Sequence, residues 1–331
     1  MDTADMSSTP TSSTHQPLAS RSHSGGLDDA HSPAPALAVA VQSALGKNAV
    51  NWEPVIGGGY TRQAKWHVRF ADGSTAFVKA ADEEPFSSAL RREVAVYRSV
   101  EGPFLPRLVG ARDDGALVVL AVEDLVEAHW PPPYPDDVRP LFEALDALAA
   151  TPVPGVLRVW PVASSNWRTT AETPEPFLAL GLCSGVWLDQ VVESLVQAES
   201  RVSWAGDDFV HYDIYSGNVC FVGPRALLVD WDAAGRGNRW IDVAFALLNL
   251  RLEGARLPDV ALPQEGDYAA LLSGHFAVEA PAPLPEWAEG SSLREDMVGD
   301  LRHALEWTAE ALGLPRPDGS PDSDIPQPRR S

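Results

Sequence analysis

The stretch His211-Tyr-Asp213-Ile-Tyr-Ser-Gly-Asn218, with Asp230-Trp-Asp232 following it, decides how this 331-residue chain is read. Transfer of a phosphoryl group to a hydroxyl requires a carboxylate that orients the alcohol and accepts its proton. It also requires oxygen ligands for the magnesium that neutralises a triphosphate. Asp213 is of the right type for the first task and Asn218 for the second, and Gly217 permits a tight bend between them. The apolar run Ala226-Leu-Leu-Val-Asp230 reads as a buried strand that delivers Asp230 into a loop, in position to hold the metal.

The rest of the chain bounds this reading. Hydrophobic residues make up 45% of the sequence, ample for a packed core in one large or two closely joined domains. Residues 1–35 are rich in Ser, Thr, Pro, Ala and His, and 315–331 are of similar character; neither buries enough apolar surface to offset ordering entropy, so both are expected to be disordered tails. Asp2 and Asp5 stand where a secretory signal carries basic residues, and no apolar run reaches the roughly 18–20 residues that span a bilayer. Two cysteines, Cys183 and Cys220, make neither a disulfide framework nor a metal cluster. A cytoplasmic protein with reduced thiols and no membrane association is expected. The net charge of −21 argues against nucleic acid as a partner and suits a cationic small molecule, although it also serves solubility alone.

Periodicity divides the chain in two. Ala36 to Leu45 reads as a helix; three strand candidates follow, around Trp52-Glu-Pro-Val, Ala64–Phe70 and Ser74–Ala81, with Gly57-Gly58-Gly59 in the first turn and Asp72-Gly73 in the second. Leu90, Val94 and Tyr97 fall on one face of a helix over Glu84–Val100. Strands are expected around Pro106–Ala111 and Ala116–Val122. Beyond the Pro-rich loop Trp130–Pro135, helices are expected over Asp136–Ala150, Leu178–Ala198, Ile241–Arg251 and Ser292–Leu312, with an unassigned irregular stretch between the first two. Two lobes joined by one connection leave a cleft, a preferred place for a ligand.

The H-x-D-x4-N segment with a following apolar strand and D-W resembles the catalytic and metal-binding pair of the protein-kinase-like fold, and more particularly the aminoglycoside phosphotransferase family. The resemblance covers roughly Leu37 to Leu314, and is specific in the catalytic segment and looser elsewhere. It implies an α+β fold with a small β-rich lobe (36–124) carrying one key helix, and a larger, mainly helical lobe (125–314). It implies Asp213 as catalytic base, Asn218 and Asp230 as Mg2+ ligands, and Asp242 as a support for the catalytic loop. In the small lobe it implies that Lys79 contacts the nucleotide phosphates and is held by Glu93, that Gly57, Gly58 and Gly59 cover the phosphates, and that the hinge around Glu123 and Leu125 binds the base through its backbone. The cofactors implied are Mg2+ and ATP or GTP as phosphoryl donor. The partner implied is a small-molecule hydroxyl acceptor, which the acidic balance tilts toward an amine-bearing alcohol.

Three positions depart from the family pattern. Tyr212 replaces the usual glycine. Asp232 replaces a glycine or small polar residue, and either adds a metal ligand or points to solvent. Arg62 follows the glycine run and either touches phosphates or is an exposed strand residue. His211 reads as a structural anchor and not as a base. Of the eleven tryptophans, Trp66, Trp160 and Trp307 read as core and Trp231 sits beside the chemistry. Asp189, Glu193 and Glu306 either face a cationic acceptor or form solvated helix faces. The alternative from another class is a catalytically silent nucleotide-binding module, whose mark would be loss of the base, a metal ligand or the lysine; none is missing. A protein kinase is disfavoured, because the short run from Asp230 to Asp242 leaves no room for an activation loop.

Overall fold

A computed structural model describes residues 33–55, 63–159 and 165–319. The chain opens with α1 (Pro35–Leu45), then β1 (Ala49–Pro54), β2 (Ala64–Phe70), β3 (Thr75–Ala81), α2 (Phe86–Ser99), β4 (Leu108–Asp113) and β5 (Val118–Val122). The strands form an antiparallel sheet in the order β1-β2-β3-β5-β4. Alternation along the strands gives the sheet two faces. Val68, Phe70, Ala76, Val78, Ala80, Val119 and Ala121 pack with Leu37, Ala40 and Val41 of α1 in one small core. On the opposite face, Val118, Leu120 and Val122 join Leu90, Val94 and Tyr97 of α2 in the main core, while Lys65, His67, Phe77 and Lys79 line a cleft. The expected Asp72-Gly73 hairpin joins β2 to β3, with Gly73 at φ 83°, a backbone angle that glycine takes without steric penalty.

The larger lobe contains α3 (Arg139–Ala149), β6 (Arg158–Val159), α4 (Asn166–Glu172), α5 (Glu175–Leu178), α6 (Gly185–Glu199), β7 (Asp208–Val210), β8 (Val219–Val222), β9 (Arg225–Leu228), β10 (Gly235–Gly237), α7 (Arg239–Leu252), α8 (Glu265–Glu279) and α9 (Leu293–Leu312). The short strands pair as β6-β10-β7 and as the hairpin β8–β9. Helix α8 lies at the centre of this lobe against α4, α6, α7 and α9. The sequence gives it no amphipathic stripe, because it is buried almost all round: Tyr268 to Gly274 are buried without a break.

The stretch read as irregular holds α4 and α5. The buried Glu199 of α6 accepts hydrogen bonds from the backbone N–H groups of Asn166 (3.0 Å) and Trp167 (2.9 Å), satisfying donors that a helix start leaves orphaned. The fully buried Trp167 then ties α4 to α8 by donating from its indole to the Ala270 carbonyl at 2.8 Å. Helix α6 starts seven residues later than its apolar spacing implies, where Ser184 caps it by accepting from the Trp187 N–H at 3.1 Å. Residues 315–319, which composition assigns to a tail, run against this same helix start. Asp318 accepts from the Ser184 N–H (2.6 Å) and hydroxyl, and Trp187 donates to the Pro315 carbonyl (2.9 Å).

Candidate active site

The 211–218 loop leaves β7 and is fastened from beneath by α7. The backbone N–H groups of His211 and Tyr212 donate to the two carboxylate oxygens of buried Asp242, each at 2.7 Å. Two helical turns further, Asn249 accepts from the Ser216 N–H at 3.2 Å. Residues seven apart share a face of a helix, so one side of α7 anchors both ends of the loop. Burial pushes the Asp242 carboxyl up to about 7, against the two N–H donors, which favour the anion.

His211 is fully buried and lies edge-on to Trp231, with ring centroids 4.5 Å apart. Its Nε2–H donates to the Val229 carbonyl at 3.0 Å, and burial lowers its pKa to about 4. It is therefore a neutral ring that ties the loop to the segment before Asp230, in agreement with the anchoring role read from sequence. Tyr212 has φ 64°, which explains why a glycine suits this position. The tyrosine is accommodated because its hydroxyl donates to the Trp204 carbonyl and accepts from the Asn238 N–H at 3.1 Å, in a space that a side chain at Gly237 would fill.

Asn218 and Asp230 are brought together by a strand register. Val219 of β8 pairs with Leu228 of β9, and the Val229 N–H donates to the Asn218 carbonyl at 3.0 Å, so the two residues flank the open end of one hairpin. Asp230 then turns with φ 66° into the 231–233 segment. The Asn218 amide nitrogen donates to the Asp213 carboxylate at 2.7 Å and to its carbonyl at 3.0 Å, which fixes Asp213 beside the pair.

From the other lobe, the buried Lys79 ammonium contacts both Glu93 oxygens at 2.9 Å and Asp230 at 3.0 Å. Desolvation alone would lower Lys79, but the charges of Asp230 and Glu93 override it and hold the ammonium above its usual range. Burial raises Glu93, and Lys79 opposes that rise. Burial also acts to raise Asp230, yet Lys79, and after it Lys65, keep it below the usual carboxylate value. The triad is thus two salt bridges that share Lys79, drawn from β3, α2 and the loop after β9.

Lys79, Glu93, Asn218 and Asp230 line a cavity of about 740 Å³ that also includes Glu123 and Leu125 of the inter-lobe connection, Lys65, His67 and Phe77 of β2 and β3, Trp130 from the Pro-rich loop, and Asp296 of α9. The Leu125 carbonyl accepts from the Ala128 N–H (3.0 Å) and the Trp130 indole (3.2 Å). Beside it, Asp124 pairs with His67 at 2.8 Å. Gly57, Gly58, Gly59 and Arg62 lie outside the described residues, as does Trp160.

Asp232 lies outside the cavity lining. It forms an ion pair with Arg92 of α2 at 3.3 Å, and its carbonyl accepts from Arg92 (3.0 Å) and Arg158 (2.7 Å), so it fastens α2 to the segment after Asp230. Asp189, Glu193 and Glu306 are exposed on α6 and α9 and do not line the cavity. Trp231 is core, stacked on Phe209. Sequence reasoning missed Lys65, His67, Asn249 and Asp296. Lys65 was legible in principle, since alternation with the Asp72-Gly73 turn places it opposite Lys79. Among the described residues no group of three His, Cys, Asp or Glu side chains could hold a metal, and no helix is long and apolar enough to cross a membrane.

This arrangement, a β-sheet lobe and a helical lobe closing on a lysine–glutamate pair and an Asp–Asn–Asp set, has the architecture of kinase-like phosphotransferases. A spectinomycin phosphotransferase solved with ADP and spectinomycin superimposes over 84% of this chain and 98% of its own, with a TM-score of 0.56 and 13% identity. A structure assigned as a fructosamine-3-kinase from Thermobifida fusca YX-ER1 matches over 82% of this chain and 99% of its own, with a TM-score of 0.51 and 20% identity. No family model and no curated protein matches the sequence. At these identities the likeness shows the fold alone, the two-lobed fold of kinase-like phosphotransferases.

Proposed function

We propose that this protein transfers the γ-phosphoryl group of ATP or GTP to a hydroxyl of a small molecule. The observation that carries the reading is the convergence of Lys79, Glu93, Asp230 and Asn218 in one cavity, with Asp213 held beside it by the Asn218 amide. The ADP and spectinomycin held by the similarly folded spectinomycin phosphotransferase support it.

The donor set suits magnesium, which takes few protein ligands, all oxygen, and keeps phosphates and water for the rest. Asn218 donates to Asp213 through its nitrogen and so keeps its carbonyl oxygen for a cation, and Asp230 is held anionic by its lysines. Magnesium, when bound by these two, draws charge from the phosphates. Lys79 exchanges Asp230 for phosphate oxygens while Glu93 keeps its ammonium in place. Glu123 and Leu125, the hinge residues in the lining, are the ones offered to the base. Asp213 accepts a hydrogen bond from the acceptor hydroxyl and takes its proton as the new O–P bond forms and the nucleoside diphosphate leaves. Asp296 and Glu123 add negative charge to the lining, which favours an amine-bearing acceptor.

The test is nucleotide consumption with a panel of amine-bearing and neutral alcohols. Activity is expected on an amine-bearing acceptor, and Asp213→Ala is expected to lower it by about 10²–10⁴-fold with magnesium–nucleotide binding retained. Full activity in Asp213→Ala would remove the base assignment, and a response confined to neutral acceptors would remove the charge argument.

A further inference from the structure

Lys65 on β2 pairs directly with Lys79 on β3 in the antiparallel register. Residues so placed share a face, with Cβ atoms about 4.5–5.5 Å apart, and like charges there destabilise the strand pair. Both lysines line the cavity, whereas their neighbours Trp66, Val68, Val78 and Ala80 turn to the core under α1. Burial, and next the charge of Lys79, lower the Lys65 ammonium, while Asp230 and Glu93 act to raise it. Two ammonium groups and two carboxylates therefore meet at one end of the cleft. A cation that engages Asp230 takes one carboxylate out of this balance and leaves positive charge in excess at this end of the cleft. An incoming anion restores the balance with both ammonium groups kept charged.

We propose that Lys65 is a second phosphate-binding residue, so that the donor triphosphate is held by lysines from two adjacent strands, Lys79 on β3 and Lys65 on β2. The proposal rests on the nucleotide-dependent reading above and extends it to a residue that the catalytic motifs do not include. It also accounts for the like-charge pair across the strands, which favours ligand binding at the expense of the ligand-free sheet.

The experiment is calorimetric titration of the full chain with magnesium and the β,γ-imido analogue of ATP or of GTP, whichever wild type binds, and with the matching nucleoside. Lys65→Met is expected to weaken the triphosphate analogue by about 10- to 100-fold, the equivalent of one charged hydrogen bond, with nucleoside affinity unchanged. Lys65→Arg is expected to retain most of the affinity. The ligand-free Tm of Lys65→Met is expected to equal or exceed that of wild type, because the like-charge pair is gone; a purely structural lysine would lower it. Triphosphate affinity in Lys65→Met within about twofold of wild type, or equal losses for triphosphate and nucleoside, would overturn the role of Lys65 alone. If wild type binds no nucleotide with magnesium, the phosphotransfer reading fails and this proposal fails with it.

Discussion

The 211–218 loop and the Lys79–Glu93–Asp230 triad meet in one cavity, and both depend on buried carboxylates, yet they are held by different kinds of bond. The loop is fixed through its backbone: Asp242 and Asn249, on one face of α7, accept N–H groups from three of its residues. Nothing in that set has to move for a substrate to enter. The triad is side chain to side chain and spans both lobes. Whatever draws Asp230 away from Lys79 has to supply an anion in its place. On the function proposed above, the acceptor end of the cleft is thus built before any ligand arrives, and the donor end is completed by the nucleotide.

The most forceful way to break this comparison is to remove one carboxylate from each set. Asp242→Ala leaves two buried N–H groups without acceptors, at about 1–3 kcal/mol each. A fall in unfolding free energy of about 2–6 kcal/mol is expected by denaturant titration. Asp230→Asn keeps a residue tolerant of positive φ and an amide oxygen for Lys79, which stays paired with Glu93, so a smaller loss of about 1.5 kcal/mol is expected in the same measurement. Its cost should appear instead as lost magnesium-dependent nucleotide binding by calorimetry. Equal stability losses in the two variants would show that the triad is as structural as the loop anchor.

A smaller effect sharpens the charge state of the anchor. Burial raises the folded-state pKa of Asp242 to about 7, above its ordinary value near 4. A group raised in this direction contributes stability that is complete at low pH and is lost as pH climbs to about 7. Asp242→Asn lacks this contribution, so the Tm gap between wild type and variant should narrow from pH 5 to pH 8. The buried His211, whose pKa is lowered, slopes the opposite way but is common to both proteins and cancels in the gap. A gap that stays constant over this range would mean that the two N–H donors keep Asp242 ionised throughout.

The same contrast explains what the sequence disclosed. The loop and its anchor are local in sequence, from His211 to Asp242, and each residue type is dictated by its chemistry; the sheet, α2 and Asp242 were likewise legible from alternation, helical spacing and motif. Features set by long-range contact were hidden. Helix α8 has no polar face to give it a period, and α4 is a short helix capped by Glu199 from a distant element. Asp232 carries no sign of the arginines that meet it, since Arg92 and Arg158 come from α2 and β6. The acidic helix faces at Asp189 and Glu193 carry charge that a sequence cannot assign to cleft or solvent; the fold turns them to solvent.

The smallest effect probes the one strained residue inside the otherwise settled loop. Holding Tyr212 at φ 64° costs about 1–2 kcal/mol relative to glycine. Its buried hydroxyl offsets this by bonding Trp204 and Asn238, each bond contributing about 0.5–1.5 kcal/mol. Tyr212→Phe keeps the backbone cost and loses both bonds, so it should destabilise by about 1–3 kcal/mol. Tyr212→Gly loses the bonds and relieves the angle, and the two changes should cancel to within about 1 kcal/mol of wild type apart from the ring packing against Trp204. Denaturant titration of the two variants side by side gives the order: phenylalanine below glycine means the loop geometry is held against strain by the tyrosine hydroxyl. The reverse order would place the anchoring in the aromatic ring, and would make the backbone bonds to Asp242 sufficient to hold φ where it is.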